Sequence, residues 1–246
     1  MSAMPKIKDI NFEILPAPLQ PPGSLIVAFH GTGQTTADII PHAREMQKSM
    51  PDTDFICPLG PEIFTSKKHN ITREDGLRTW IRHETWRDHA EIYLRLFFNK
   101  VSVLDELHNL IDRELAARNL TNDRLGLFGF SLGGTVALMT AFTRAASPAA
   151  VVSSSGMFFR FDHIQTRPPT LWIMGDADKR YDVNLEKRGR SGTLSSQFNY
   201  FHSASIARME KAKIPLQIQI IQGLGHDINA ESLQYAARFL KQRLEG

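Results

Sequence analysis

Leu125-Gly126-Leu127-Phe128-Gly129-Phe130-Ser131-Leu132-Gly133-Gly134-Thr135-Val136-Ala137-Leu138 is the stretch that decides how this chain folds. Leu125 to Phe130 is an apolar run of strand length, the pattern of a strand buried on both faces. Gly129-Phe-Ser-Leu-Gly133 reads as a tight turn, and Thr135 to Phe142 is small and apolar, good material for a buried helix. Strand, sharp turn and helix with a serine at the apex is a setting that lifts a hydroxyl clear of a sheet. Positions 129 and 133 call for glycine, because the strained turn brings backbone against them and a side chain would collide. The same geometry points the backbone N–H of Leu132 at the space above Ser131. Gly-x-Ser-x-Gly alone arises by chance in roughly one chain in fifteen of this length, so its context carries the reading.

The composition sets the outer bounds. Of 246 residues, 29 are Lys or Arg and 26 are Asp or Glu, a net charge of +3. Lys67-Lys68 and Lys187-Arg188-Gly189-Arg190 are short runs that read as solvated loops, and the absence of a basic stripe argues against nucleic acid as a partner. The single cysteine, Cys57, allows no intramolecular disulfide and fits a reducing compartment. Met1 to Pro22 shows no charged region followed by an apolar core, and no apolar run approaches bilayer length. The expectation is one domain spanning residues 1–246, cytoplasmic and without stable membrane insertion.

Outward from the central stretch, short β-rich runs alternate with helical ones. Ile7 to Leu15 alternates imperfectly and suits an edge strand, and Leu25 to Phe29 suits a buried parallel strand. Thr36 or Asp38 can cap a helix running to about Ser49, followed by a strand over Asp54 to Cys57. Helices are expected over Asp88 to Phe98, Val101 to Arg118, and about Ala230 to Arg243 with Asn229 as cap. Further strands are expected at Ala149–Ser153, Thr170–Met174 and Leu216–Ile221. The fold class is therefore α/β, a mostly parallel central sheet with helices on both faces. Residues 60–98 are the least regular part and could form an aromatic-rich flap; 186–199, rich in Gly, Ser, Lys and Arg, reads as a mobile loop.

Ligands of open parallel sheets bind beyond the carboxyl ends of the strands, and four such ends carry chemical groups. They are His30-Gly31-Thr32-Gly33, Ser131, Gly175-Asp176-Ala-Asp178 and Gly223-Leu-Gly225-His226-Asp227. A serine hydroxyl needs a base to become a nucleophile, and His226 can take that proton and return it to a leaving group. Asp178 would hold the imidazole in the right tautomer, with Asp176 the alternative acid two residues away. The backbone N–H groups of Thr32 and Leu132 would bind a developing oxyanion. Metal readings fit poorly. Arg180 and Tyr181 stand where a calcium loop needs oxygen ligands and glycine, and His83-Glu84-Thr-Trp-Arg87 lacks the second histidine of a zinc helix.

At this point the chain resembles the phospholipase/carboxylesterase branch of the α/β-hydrolases, which includes acyl-protein thioesterases, lysophospholipase-type esterases and bacterial carboxylesterases. The matching pieces are Phe29-His-Gly-Thr-Gly33, Gly129-Phe-Ser-Leu-Gly-Gly134, Ser155-Gly156, Gly175-Asp-Ala-Asp178, Gly225-His-Asp-Ile228 and Arg238-Phe-Leu240, together with Trp80 after Pro58-Leu-Gly-Pro61. The resemblance implies an α/β-hydrolase fold, Ser131, Asp178 and His226 as a triad, Thr32 and Leu132 as oxyanion donors, and neither metal nor cofactor. The chain departs from the pattern at Leu132, where many relatives have Gln, and at the stretched Asp178-Lys-Arg-Tyr-Asp-Val183. Residues 186–199 look longer than the usual connection, and 62–100 lack the usual glycine-rich pattern. The expected function is a carboxylesterase-type serine hydrolase acting on a small-molecule ester or thioester through a Ser131 acyl-enzyme. Its alternatives are a lysophospholipase or acyl-protein thioesterase with the same triad, and a non-catalytic binding protein of the same fold.

Overall fold

Among the described residues, seven strands form the main sheet: β1 (Phe12–Leu15), β2 (Ser24–Phe29), β3 (Thr53–Pro58), β6 (Leu125–Phe130), β7 (Ala150–Ser154), β8 (Thr170–Gly175) and β9 (Leu216–Ile221). A separate two-stranded ribbon pairs β4 (Glu62–Ile63) with β5 (Arg78–Thr79). The computed structural model describes residues 10–66, 69–81, 103–158, 164–178 and 205–246. The expected helix at 88–98 and the loop at 186–199 lie outside the described residues, as does much of the 60–98 segment.

The strand order is β1-β3-β2-β6-β7-β8-β9, so the Leu125–Phe130 strand lies in the middle with three strands on each side. Every neighbouring pair is parallel except β1 with β3. β1 is an edge strand, as its imperfect alternation predicts. The opposite edge is β9, where Ile218 and Ile220 remain exposed and only Ile221 is buried. Between β2 and β6 the strand order reverses direction. The turns that follow those two strands therefore flank the crevice where open α/β sheets bind ligands.

Helices cover both faces, and the buried strands divide their side chains between them by the period of two. Leu25, Val27 and Phe29 of β2, with Leu127 of β6, share a core with helix α2 (Val103–Ala117) and helix α3 (Leu132–Thr143). Ile26, Ala28, Phe128 and Phe130 join the opposite core, against helix α1 (Thr36–Gln47) and helix α4 (Ala230–Leu244). Helix α3 is buried from Leu132 to Phe142, which explains why its sequence is apolar on every side. Each large aliphatic side chain so buried contributes about 1.5–3 kcal/mol.

The helix ends show how local chemistry sets the boundaries. Helix α1 is capped by Thr35, one residue before the expected position, with Asp38 completing the reciprocal box by accepting the Thr35 N–H at 2.7 Å. Helix α4 starts where expected, the Asn229 Oδ1 accepting the Ser232 N–H at 2.8 Å. Beyond α2, Arg118 donates to Asp54 at 2.7 Å and to Glu114 at 2.8 Å, while Asp54 also accepts the Ala17 N–H at 2.7 Å. That buried ion network fastens the start of β3 to the helix above it.

Candidate active site

Ser131 lies in the turn from β6 into α3, with φ 53° and ψ −122°, a conformation that non-glycine residues adopt only under constraint. Two close approaches impose it. A Cβ on Gly129 would stand 2.2 Å from the Gly133 carbonyl oxygen, and one on Gly133 would stand 2.3 Å from the Phe29 oxygen. Helix α3 therefore begins in direct contact with the end of β2, as the expected need for glycine at both positions requires. The Ser131 N–H donates to the Ser154 carbonyl of β7 at 2.8 Å, which ties the apex to the next strand.

The acid and the base stand at the ends of β8 and β9. Asp178 is buried, 1 % exposed, and its Oδ2 lies 2.7 Å from His226 Nδ1. His226 Nε2 lies 2.9 Å from Ser131 Oγ. Three residues separated by 95 and 48 positions thus form one hydrogen-bonded line. An ionised Asp178 accepts from Nδ1–H, which leaves the Nε2 lone pair facing the serine hydroxyl. The Phe130 ring flanks the imidazole, with centroids 5.1 Å apart at 42°.

Asp176, the alternative acid, is engaged elsewhere. Its Oδ1 accepts the Gly223 N–H at 2.6 Å, its own N–H donates to Ile221 at 3.1 Å, and the Ala177 N–H donates to Leu224 at 3.0 Å. These three bonds zip the loop that carries Asp178 to the loop that carries His226. Sequence reading names Asp176 only as a rival acid; the fold gives it the job of a clasp.

The turn after β2 is held more elaborately than its sequence suggests. The Gly60 N–H donates to His30 Nε2 at 2.9 Å, so the proton of the ring sits on Nδ1 and is donated to the Gly31 carbonyl at 2.7 Å. Burial then drives the His30 pKa from 6.5 down to about 4, and the ring is neutral at physiological pH. Trp80 stacks on it at 4.9 Å and 35°, and its Nε1–H donates to the His30 carbonyl at 2.8 Å. The Gly31 N–H donates to Gln34 Oε1 at 2.6 Å, and the Gly33 N–H donates to the Arg78 carbonyl at 2.8 Å. Between those two engaged amides, the Thr32 N–H has no acceptor among the described residues. The Leu132 N–H is in the same condition, since the first residue of a helix has no intrahelical acceptor. Both turns leave adjacent parallel strands at the same sheet end, where Phe29 pairs with Gly129.

The candidate residues Ser131, Asp178 and His226 are thus brought together, and Thr32 and Leu132 carry available amides on the two turns beside them. Gln34, Gly60 and Arg78 escape sequence reading. They act through contacts with residues 3 to 45 positions away, whereas the aromatic Trp80 gives a signal of its own, through the resemblance. No described helix is long and apolar enough to cross a membrane.

Comparison with known proteins agrees with this layout. The chain is similar to a probable carboxylesterase, SOBER1-like, of Arabidopsis thaliana, 26% identical over 152 residues. That match takes in 59% of this chain and spans about half (52%) of the relative's own length. Acyl-protein thioesterase 1 of Eremothecium gossypii is 22% identical over 235 residues, 92% of this chain and 90% of that protein. Among solved structures, esterase PE8 superposes with a TM-score of 0.76 at 24% identity, covering 96% of this chain and 100% of the other, which shows a shared fold. Residues 11–244 match the sequence pattern described as Phospholipase/Carboxylesterase, and the chain belongs to that family of α/β-hydrolases.

Proposed function

We propose that this chain is a serine hydrolase that cleaves carboxylic esters or thioesters through an acyl-enzyme on Ser131, within one α/β-hydrolase domain. The observation that carries the reading is the hydrogen-bonded line from Asp178 through His226 to Ser131 Oγ, at 2.7 and 2.9 Å. Relatives described as carboxylesterase and acyl-protein thioesterase support the same chemistry. Ser131 Oγ attacks the acyl carbon while His226 Nε2 takes its proton, and Asp178 steadies the imidazolium that forms. The negative charge that gathers on the carbonyl oxygen is met by the Thr32 and Leu132 amides. Losing one such donor typically costs about 3–4 kcal/mol of transition-state stabilisation.

Collapse of the tetrahedral intermediate expels the alcohol or thiol, which leaves with the proton from His226. Water then enters, His226 deprotonates it, and its attack on the acyl group regenerates Ser131 and releases the acid. Ser131, His226 and water account for every proton and electron pair. The reading extends to a small-molecule substrate and a cytoplasmic setting, which the single buried Cys57 favours. Initial rates on p-nitrophenyl esters of increasing acyl length, with Ser131→Ala as blank, test it. Turnover that disappears in the variant supports the nucleophile, and turnover that survives refutes it.

A further inference from the structure

We propose that Arg78 makes this site selective for esters or thioesters carrying an anionic group, a carboxylate or phosphate, near the scissile acyl centre. The inference rests on the hydrolase reading above and adds a substrate class to it. Arg78 belongs to the short ribbon that braces the turn after β2. Its carbonyl accepts the Gly33 N–H at 2.8 Å and its N–H donates to the Gln34 carbonyl at 3.1 Å, one residue from the amide of Thr32. Residues opposite each other across an antiparallel pair project to the same face. The Arg78 side chain therefore leaves the ribbon on the side of the Gln34 side chain, whose Oε1 holds the Gly31 amide.

Among the described residues the guanidinium there has no anion. Arg78 is half-buried, its Nε is fully buried without a hydrogen-bond partner, and no described carboxylate forms an ion pair with it. Two other arginines held partly or wholly away from water are treated differently among the described residues. Arg118 is paired with Asp54 and Glu114, and Arg144 with Asp112 and Asn122. The groups around Arg78 also offer no compensation. Gln34 is neutral, and His30 has both ring nitrogens committed and feels the Arg78 charge as a further push toward its neutral form, after burial. Asp38 reaches His30 electrostatically, but its carboxylate is held by the Thr35 N–H and hydroxyl at 2.7 and 3.1 Å.

A cation taken partly out of water and left unpaired is costly, and a ligand anion is the group that relieves the cost. The planar fork of arginine suits a carboxylate or a phosphate, which it meets with parallel charge-assisted hydrogen bonds. With no described carboxylate paired to it, the guanidinium is receptive to an acid.

The test compares kcat/KM for two matched pairs of esters. p-Nitrophenyl hemiglutarate against p-nitrophenyl valerate places the charge on the acyl side. 3-Carboxyphenyl butyrate against 3-carbamoylphenyl butyrate places it on the leaving group. Each is run on the native protein, Arg78→Gln and Arg78→Lys, with Ser131→Ala as blank. The expected result is that Arg78→Gln lowers the anionic-to-neutral ratio by roughly ten- to a hundredfold in one pair, the usual worth of a charge-assisted hydrogen bond. Arg78→Lys should keep most of the ratio, which separates lost charge from damaged folding, and the responding pair identifies the side that bears the anion. An unchanged ratio in both pairs overturns the proposal. So does an equal fall on all four esters, which would assign the charge to the oxyanion in place of the substrate. Absence of Ser131-dependent turnover on all four esters by the native protein refutes the hydrolase reading, and this inference with it.

Discussion

Replacing Asp178 and Asp176 by asparagine, one at a time, separates the acid of the proposed triad from the clasp beside it. Asp178 sits 2.7 Å from His226 Nδ1 and is 1 % exposed. As His226 takes the serine proton, a full carboxylate–imidazolium pair forms where a neutral ring stood. At an effective dielectric of about 20 and a charge separation of about 3–4 Å, that attraction is about 4–5 kcal/mol. At about 1.4 kcal/mol per decade, Asp178→Asn should lower kcat by roughly 10³- to 10⁴-fold. Among the described residues Asp176 forms no ion pair and accepts the Gly223 N–H at 2.6 Å. Asparagine keeps an oxygen there and loses only the charge assistance, so Asp176→Asn should cost about 1 kcal/mol, roughly fivefold in kcat. The assay is the initial rate on a p-nitrophenyl ester, with thermal melts to confirm that both variants fold. If Asp176→Asn falls as far as Asp178→Asn, or if Asp178→Asn retains a tenth of the native kcat, the assignment of the two carboxylates is wrong.

Other consequences follow from the turns around the site. Because His30 binds a proton in the unfolded chain below about pH 6.5 but in the folded chain only below about 4, stability should fall as pH drops through that window. The loss reaches about 3 kcal/mol, and urea melts should show the steeper slope in the native protein and not in His30→Asn; equal slopes would remove His30 from the account. Gly129→Ala should fail to yield folded protein, since its Cβ would lie 2.2 Å from backbone oxygen that cannot give way. Gly223→Ala, with open space around its Cβ but φ of +70°, should cost only about 1 kcal/mol in a denaturant melt. Arg118→Ala strands Asp54 and Glu114 without their cation, and a loss of about 3 kcal/mol in the same melt is expected.

The linear sequence determined the sheet and pointed to the candidate reacting groups, because both signals are local. Apolar runs at Leu25–Phe29 and Leu125–Phe130 declare buried strands by composition alone. Asn229 declares a helix start by the chemistry of its own side chain. Gly129 and Gly133 mark the strained apex because no other residue fits, and the order Ser131, Asp178, His226 places each at a strand's carboxyl end. Where two local signals compete, the sequence is less decisive. Thr36 and Asp38 both suit a cap by sequence, and only the observed hydrogen bonds place the cap at Thr35 with Asp38 as its partner. Sequence favours Asp178 over Asp176 as the acid, and the fold separates them by what each meets on the loop after β9, His226 for Asp178 and the Gly223 amide for Asp176.

Tertiary structure alone decided how the turn after β2 is held. His30 is a neutral strut because Gly60 and Gly31 occupy its two nitrogens and burial removes water from the ring. Gln34 and Arg78 matter because the β4–β5 ribbon folds back onto that turn, and nothing in their neighbours along the chain announces it. Hydrogen bonds and charges act over a few ångströms in space and take no account of separation along the chain. Candidate reacting residues can therefore be read from their chemistry, whereas those that position them become visible only once the chain has brought them together.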